Sequence, residues 1–220
     1  MTITKPRNLR SKSSVIGALI SASVLLAFSL LVSCSKKDTS EHLESAKVIH
    51  VRDGDTVELS DGRVVRYIGI DTPETGDPGA DSATALNSAL VLGKKVELEF
   101  GRERADRYGR TLAFIFIDGR MVNMELLKAG WAWCYFFNGN MKYSSQMVRA
   151  VRLAMDARRG LWSAPHPETD DHYIGSYAGF RFHRPDCPSV ADIKWQNQRI
   201  FTAKDSAFFD GFAPCGNCRP

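Results

Sequence analysis

Between residues 46 and 117 the chain is broken into short runs of β-branched and aromatic residues, separated by turn signals. That pattern is the signature of a small β-barrel or sandwich rather than a helical bundle. It predicts strands over 46–52, 56–59 and 64–70, with Asp53-Gly54 and Asp61-Gly62 turning between them and the second closing a hairpin. Two further strands are expected over 95–100 and 111–117, followed by a turn at Asp118-Gly119. Helical patterns interrupt this series. They cover 80–92, 124–129 with Asn123 as cap and Gly130 as stop, and 143–158, where Met147, Val151 and Ala154 share a face and Gly160 ends the helix. The fold class is therefore mainly β with helices, an α+β architecture.

With 220 residues, 44% of them hydrophobic, the chain can bury one ordinary core and a small satellite. The formal charge of +4 would suit a nucleic-acid binder, but four of its 29 basic residues (Lys5, Arg7, Arg10 and Lys12) fall in the first 33 positions, which carry no acid. The remaining 25 equal the 25 acidic residues, so any grip on nucleic acid must come from a local cluster. The basic stretch precedes an uncharged apolar run over 15–32, which reads as an export signal. That run ends in Leu31-Val32-Ser33-Cys34, which resembles the lipobox of bacterial lipoproteins, where the cysteine is acylated and becomes the first residue after cleavage. A spanning helix usually needs ~20 apolar residues, and this run is marginal and rich in Ser, Gly and Ala, which favours the lipoprotein. The expectation is an exported, membrane-anchored lipoprotein of the bacterial cell envelope, with residues 1–33 as signal, lipidation at Cys34 and residues 34–45 as tether.

The chemistry concentrates in Val51-Arg-Asp-Gly-Asp-Thr-Val-Glu-Leu59, in Arg66-Tyr-Ile-Gly-Ile-Asp-Thr-Pro-Glu74 and in Asp106-Arg-Tyr-Gly-Arg110. Carboxylates at a strand start and just past a strand end can converge at a barrel rim. Hard oxygen ligands suit Ca²⁺ or Mg²⁺, and paired arginines suit a phosphate. A metal with two arginines would stabilise a phosphodiester as it gains a fifth oxygen, and a spare carboxylate could activate water. Singly, each residue has a plainer reading: Asp in Asp-Gly makes turns, Asp71-Thr72-Pro73-Glu74 could cap a helix, and Arg107 and Arg110 could lie on a solvated edge.

In this order and spacing, the motifs D-G-D-T, R-x-x-G-I-D-T-P-E and D-x-Y-G-R resemble the staphylococcal nuclease family over residues 46–162, ending at Gly160-Leu161-Trp162. The resemblance implies a five-stranded OB-fold barrel flanked by helices, a fold that binds nucleic acids on one face. It also implies Ca²⁺ held by Asp55 and Asp71 with the carbonyl of Thr72, Glu74 orienting or deprotonating water, Arg66 and Arg110 on the phosphate, and ring contacts from Tyr108 and Tyr135. The reaction so implied is cleavage of DNA and RNA that leaves 3′-phosphates. Two carboxylates are few for Ca²⁺, so its binding should be weak and completed by waters and substrate. Thr75-Gly-Asp-Pro-Gly79 is shorter than the matching segment of the best-known members and lacks their lysines, and Phe137 stands where some carry a second tyrosine. Arg102, Arg104 and Arg107 form a local basic stripe, whereas Trp131, Trp133 and Cys134 read as core.

After a Pro-containing linker at 163–171 with little that could pack, some fifty residues (172–220) need a staple to hold a core. His183-Arg-Pro-Asp-Cys187 and Cys215-Gly-Asn-Cys218 supply four ligands with the spacing of a structural Zn²⁺ site. The segment resembles the metal-binding domain of the Ada DNA-repair protein, with His183 where that family uses its methyl-accepting cysteine, which argues against alkyl transfer. A disulfide is the competing reading for an exported chain, but three cysteines cannot all pair with one another once Cys34 is acylated. The leading expectation is thus a monomeric, membrane-tethered nuclease. Against it stand a catalytically silent nucleic-acid-binding lipoprotein and an envelope interaction protein whose zinc module is the working part.

Overall fold

The computed structural model describes Thr2, residues 43–137 and residues 140–220. The expected signal segment, Cys34 and most of the expected tether lie outside the described residues; among those described, no helix is long and apolar enough to cross a membrane. Strands β1 (Glu44–Val51), β2 (Thr56–Leu59) and β3 (Val64–Tyr67) form an antiparallel meander. After β4 (Gly69–Asp71) and helix α1 (Ala80–Val91), strand β5 (Lys95–Ala105) returns to pair with β1, and β6 (Thr111–Ile117) pairs with β5. A parallel β3–β6 ladder, with Val65 opposite Thr111, closes the ring in the order β3-β2-β1-β5-β6, the five-stranded OB-type barrel expected. Its interior is apolar. Val48, Val57, Leu59, Val65, Val96, Leu98 and Leu112 are fully buried, while Lys95 and Glu97 alternate outward along β5. Each such aliphatic side chain contributes roughly 1.5–3 kcal/mol by leaving water.

Two strands depart from the sequence pattern. The run over 64–70 is not one strand, because the chain turns at Ile68: Gly69 has φ +81°, and a β-carbon there would lie 2.5 Å from Met147 Sδ. The second half, β4, leaves the barrel and pairs with β8 (Trp133–Tyr135), which follows β7 (Arg120–Met121) and α2 (Val122–Ala129). Strand β5 also runs beyond Phe100 to Ala105 through a register irregularity, and it carries the 106–110 loop. Arg102, Glu103 and Arg104 are exposed there, so apolar periodicity gives no sign of the extension.

Helix α2 lies against β6 and packs on α1 and on α3 (Ser144–Asp156). Its cap corrects the sequence reading. Asn123 does not cap the helix but sits inside it, fully buried, where its Oδ1 accepts from Ile115 N–H (2.9 Å) and its Nδ2 donates to Ile68 O (2.8 Å). It ties the helix to the barrel at the point where the chain turns. Helix α3 buries Met147, Val151 and Ala154 as expected. It ends at Asp156 through Arg158 at φ +50° rather than at Gly160, which opens the turn Gly160–Ser163.

The C-terminal segment forms its own sheet from β9 (Tyr173–Ser176), β10 (Arg181–His183), β11 (Gln198–Phe201) and β12 (Ala213–Pro214), in the order β11-β9-β10-β12, with helix α4 (Lys204–Phe209) before β12. Phe182 and Phe212 are buried and join one apolar cluster with the barrel core. Residues 163–171 pack more than their composition suggested. The His166 ring lies 5.3 Å from that of Trp162 and 5.1 Å from that of Phe208, and its Nδ1 is 2.8 Å from Asp205 Oδ1. Asn123→Ala should therefore destabilise the chain by roughly 2–4 kcal/mol, since it orphans two buried backbone groups. Urea unfolding measures this, and a change under about 0.5 kcal/mol would mean that Asn123 is not the tether.

Candidate active site

Asp55 immediately precedes β2, and the turn before it is set by Asp53, whose Oδ1 accepts from Asp55 N–H (2.9 Å). Gly54 permits this turn to lie close to the second motif, because a β-carbon there would come within 2.7 Å of Thr72 Oγ1. Asp55 is only 4% exposed. Its Oδ2 accepts from Thr72 N–H (3.0 Å) and from Thr72 Oγ1 (3.2 Å), and its Oδ1 accepts from Thr56 Oγ1 (3.0 Å). Thr72 thus meets Asp55 through its N–H and hydroxyl, which locks the end of β4 to the start of β2.

Arg66, on β3, lies beneath these groups rather than at the rim. Its Nε is 3.0 Å from Asp55 Oδ1, its Nη2 donates to Asp71 Oδ1 (2.5 Å), and its Nη1 donates to the carbonyls of Tyr67 (2.7 Å) and Ile70 (2.8 Å). One guanidinium therefore gathers both aspartates. Arg110 occupies the rim, half-buried, with its Nε donating to Asp106 Oδ2 (2.7 Å), while Asp106 Oδ1 accepts the Arg110 and Tyr108 N–H groups. Tyr108 is 68% exposed, flanked by the guanidinium groups of Arg107 and Arg110 at 4.8 and 5.5 Å from its ring centre. Exposed Glu74 and half-buried Tyr135 line the same cleft, of about 500 Å³, so every residue singled out in the first three motifs, together with Tyr135, reaches one pocket.

The sequence reading missed one member of this pocket. Arg181 enters it from β10, with its guanidinium 3.8 Å from the Tyr135 ring centre and Nη2 3.4 Å from Asp71 Oδ2. No local motif marks it, because it stands 110 residues along the chain from Asp71. Of the basic stripe, Arg107 lines the cleft, whereas Arg104 lies over the Phe100 ring.

Residues 64–164 match the family model of staphylococcal nuclease homologues. The thermonuclease of Staphylococcus hyicus is 36% identical over 129 residues, 54% of this chain and 76% of its own length. The thermonuclease of Staphylococcus intermedius is 35% identical over 136 residues, 58% of this chain and 81% of its own. The chain belongs to the staphylococcal nuclease family. An SPbeta prophage-derived endonuclease, YokF, of Bacillus subtilis (strain 168) is 37% identical over 134 residues, 56% of this chain but only 45% of its own length.

Outside this nuclease-type pocket, His183, Cys187, Cys215 and Cys218 come together in the C-terminal segment, one ligand atom from each lying within 4.8 Å of all the others. Cys187 Sγ is 3.6 Å from His183 Nδ1, and Cys218 Sγ accepts from Arg184 N–H (3.4 Å). Three sulfurs and one ring nitrogen at these separations fit a tetrahedral metal with bonds of ~2.0–2.3 Å. Cys134 lies apart, buried on β8, and burial pushes its thiol well up from the usual range, as expected for an inert core residue.

In the nuclease pocket, burial pushes the Asp55 carboxyl up to about 7. The neighbouring Arg66 charge opposes this, while Asp71 and Asp53 add to it. The folded pKa thus lies above the unfolded value of 3.8, so the fold favours the protonated form. In chelator, the Asp55 contribution to stability should be greatest below pH about 4, be lost as pH rises to about 7, and stay flat above that. Comparing urea unfolding of the wild type and Asp55→Asn across that range isolates it. Parallel pH profiles for the two proteins would show that Asp55 does not titrate this way.

Proposed function

We propose that this chain is a Ca²⁺-dependent nuclease that hydrolyses phosphodiester bonds of DNA and RNA and leaves 3′-phosphates. The carrying observation is that two carboxylates from separate motifs meet on one buried guanidinium, with Glu74, Arg110 and Tyr108 around the same cleft. A carboxylate pair in a site that penalises uncompensated negative charge suits a hard divalent cation, and Asp55 and Asp71, with the Thr72 carbonyl, would hold it. When bound, the cation neutralises charge on a phosphodiester as it gains a fifth oxygen. Glu74 orients or deprotonates the attacking water, and the bond from phosphorus to the 5′ oxygen breaks. Arg110, aimed by Asp106, and Arg66, through the Nη2 hydrogen not given to Asp71, stabilise the phosphoryl oxygens, while Tyr108 and Tyr135 offer ring faces to the nucleotide. One chain carries every group required, so a monomer suffices.

Single-stranded DNA and RNA should be cut in Ca²⁺ and spared in chelator, with ends that need phosphatase before ligation. Glu74→Ala should slow cleavage by roughly 10²–10⁴-fold and Arg110→Ala by roughly 10²–10³-fold. Binding without cleavage in Ca²⁺ would favour the silent nucleic-acid-binding lipoprotein. Cleavage that persists unchanged in Arg66→Ala and Arg110→Ala would remove the assigned mechanism.

The His183, Cys187, Cys215 and Cys218 cluster is proposed to bind structural Zn²⁺, supported by its donor set and separations. Cys34 is proposed to carry a lipid anchor that holds the nuclease at the bacterial envelope membrane, supported by the basic-then-apolar leader. Protein purified without added metal should contain one equivalent of zinc, and Cys34→Ser should move the chain to the soluble fraction. A zinc-free folded tail without free thiols would refute the first assignment, and an unchanged membrane fraction the second.

A further inference from the structure

The nuclease pocket is not made by the barrel alone. Arg181 stands on β10 of the C-terminal sheet, where Arg181 pairs with Ser176 on one side and Ala213 on the other. Its Nη1 donates to Pro214 O (2.5 Å), its face covers Tyr135, and its Nη2 reaches Asp71 Oδ2 at 3.4 Å. Pro214 O directly precedes Cys215, and Cys215 N–H donates to Phe182 O (2.9 Å), so the strand pair that presents Arg181 ends in two members of the Cys/His cluster, His183 and Cys215. The guanidinium is held mainly by backbone and by a ring face, and its one carboxylate contact, to Asp71, is the long one.

The other cations of the pocket are differently employed. Arg66 is ion-paired with Asp55 and Asp71, Arg110 with Asp106 at 2.7 Å, and exposed Arg107 donates to the Tyr108 hydroxyl at 2.6 Å. Against these, the 3.4 Å contact of Arg181 is long for a charge-assisted hydrogen bond, and its side chain is 25% exposed. Arg181 thus brings positive charge to the cleft wall beside Tyr135 with its donors incompletely used. At 25% exposure against 7% for Arg66, it is the more open of the two to a polyanion in this cleft.

We propose that Arg181 is a substrate-binding residue of the nuclease site, supplied by the C-terminal module, whose guanidinium takes a backbone phosphate of the single strand lying along the Tyr135 wall. The proposal rests on the pocket being a nucleic-acid site, though not on its cutting. The C-terminal module is then part of the site and not an appended domain, and the Cys/His cluster holds the strand pair that carries the contact.

The test is equilibrium binding of a labelled single-stranded DNA oligonucleotide to the full chain in Ca²⁺ at several salt concentrations, with short incubation and Glu74→Gln as a common background. Arg181→Ala should weaken binding roughly 10- to 100-fold at low salt. It should also lower the slope of log affinity against log salt by about 0.7, the loss of one phosphate contact on a single strand. Arg181→Lys should restore the slope while recovering only part of the affinity. A packing role alone would leave the slope at its wild-type value, and that result overturns the proposal even if affinity falls. Cleavage measured in parallel without the Glu74 change separates the two readings. Binding with the Arg181-dependent slope but no cleavage refutes the nuclease and leaves this inference standing, whereas cleavage with an unchanged slope does the reverse. Absence of any binding refutes both.

Discussion

The buried fork of Arg66 is the interaction on which the rest of the site depends. A guanidinium has donors in a fixed plane, and here they meet the carboxylate before β2, the carboxylate that ends β4 and two carbonyls of the turn between β3 and β4. That geometry bends the chain at Ile68 and Gly69 and sets the two aspartates side by side. Without the guanidinium, buried Asp55 and half-buried Asp71 would lose their shared cation, leaving Asp71 the long 3.4 Å contact with Arg181 and Asp55 its bonds from Thr56 and Thr72, a cost of several kcal/mol. The fork is therefore scaffold and charge balance together, and the backbone bonds explain why a lysine, a point charge, could not replace it.

The same site shows which electrostatic effect wins. Asp55 has an arginine at 3.0 Å and three hydrogen bonds, yet its carboxyl is pushed up rather than down. Desolvation at 4% exposure, reinforced by Asp71 and Asp53, outweighs one shared positive charge. Residues 34–220 carry 25 basic and 25 acidic side chains, so net charge supplies no compensation of its own. The positive groups that matter are few and are aimed by specific partners, Asp106 for Arg110 and Tyr135 for Arg181.

How much of this was legible in the sequence follows from how local each signal is. The Asp-Gly turns and β-branched runs marked the barrel strands, because turn chemistry and period-two burial are written in adjacent residues. The break at Ile68 was not visible, since β-branched residues continue through it, and both the Arg66 bonds to the Tyr67 and Ile70 carbonyls and the close approach of Gly69 to Met147, 78 positions away, exist only in the folded chain. Asn123 looked like a cap because Asn favours helix starts; its two long-range backbone bonds exist only once α2 lies against β6. The three nuclease motifs were readable because each is short and its residues reach one cleft. Arg181 carried no such mark, because its relevance is created entirely by the docking of one sheet on another.

That docking also answers why a tail of about fifty residues can fold with so little core of its own. Phe208 packs 5.9 Å from Trp133 and 5.1 Å from Trp162 on the nuclease side, and 5.1 Å from Phe182 on the tail side. One phenylalanine thus belongs to both cores, and His166 from the connecting stretch lies against it at 5.1 Å. Apolar burial near α4 anchors one part of the small sheet, while the Cys/His cluster draws together the ends of β10 and β12. A sheet anchored by aromatics and also by a four-residue cluster has little freedom to slide. That anchoring brings Arg181 from the C-terminal sheet to within 3.8 Å of the Tyr135 ring centre, on the wall of a pocket whose other lining residues come from the barrel and the strands beside it.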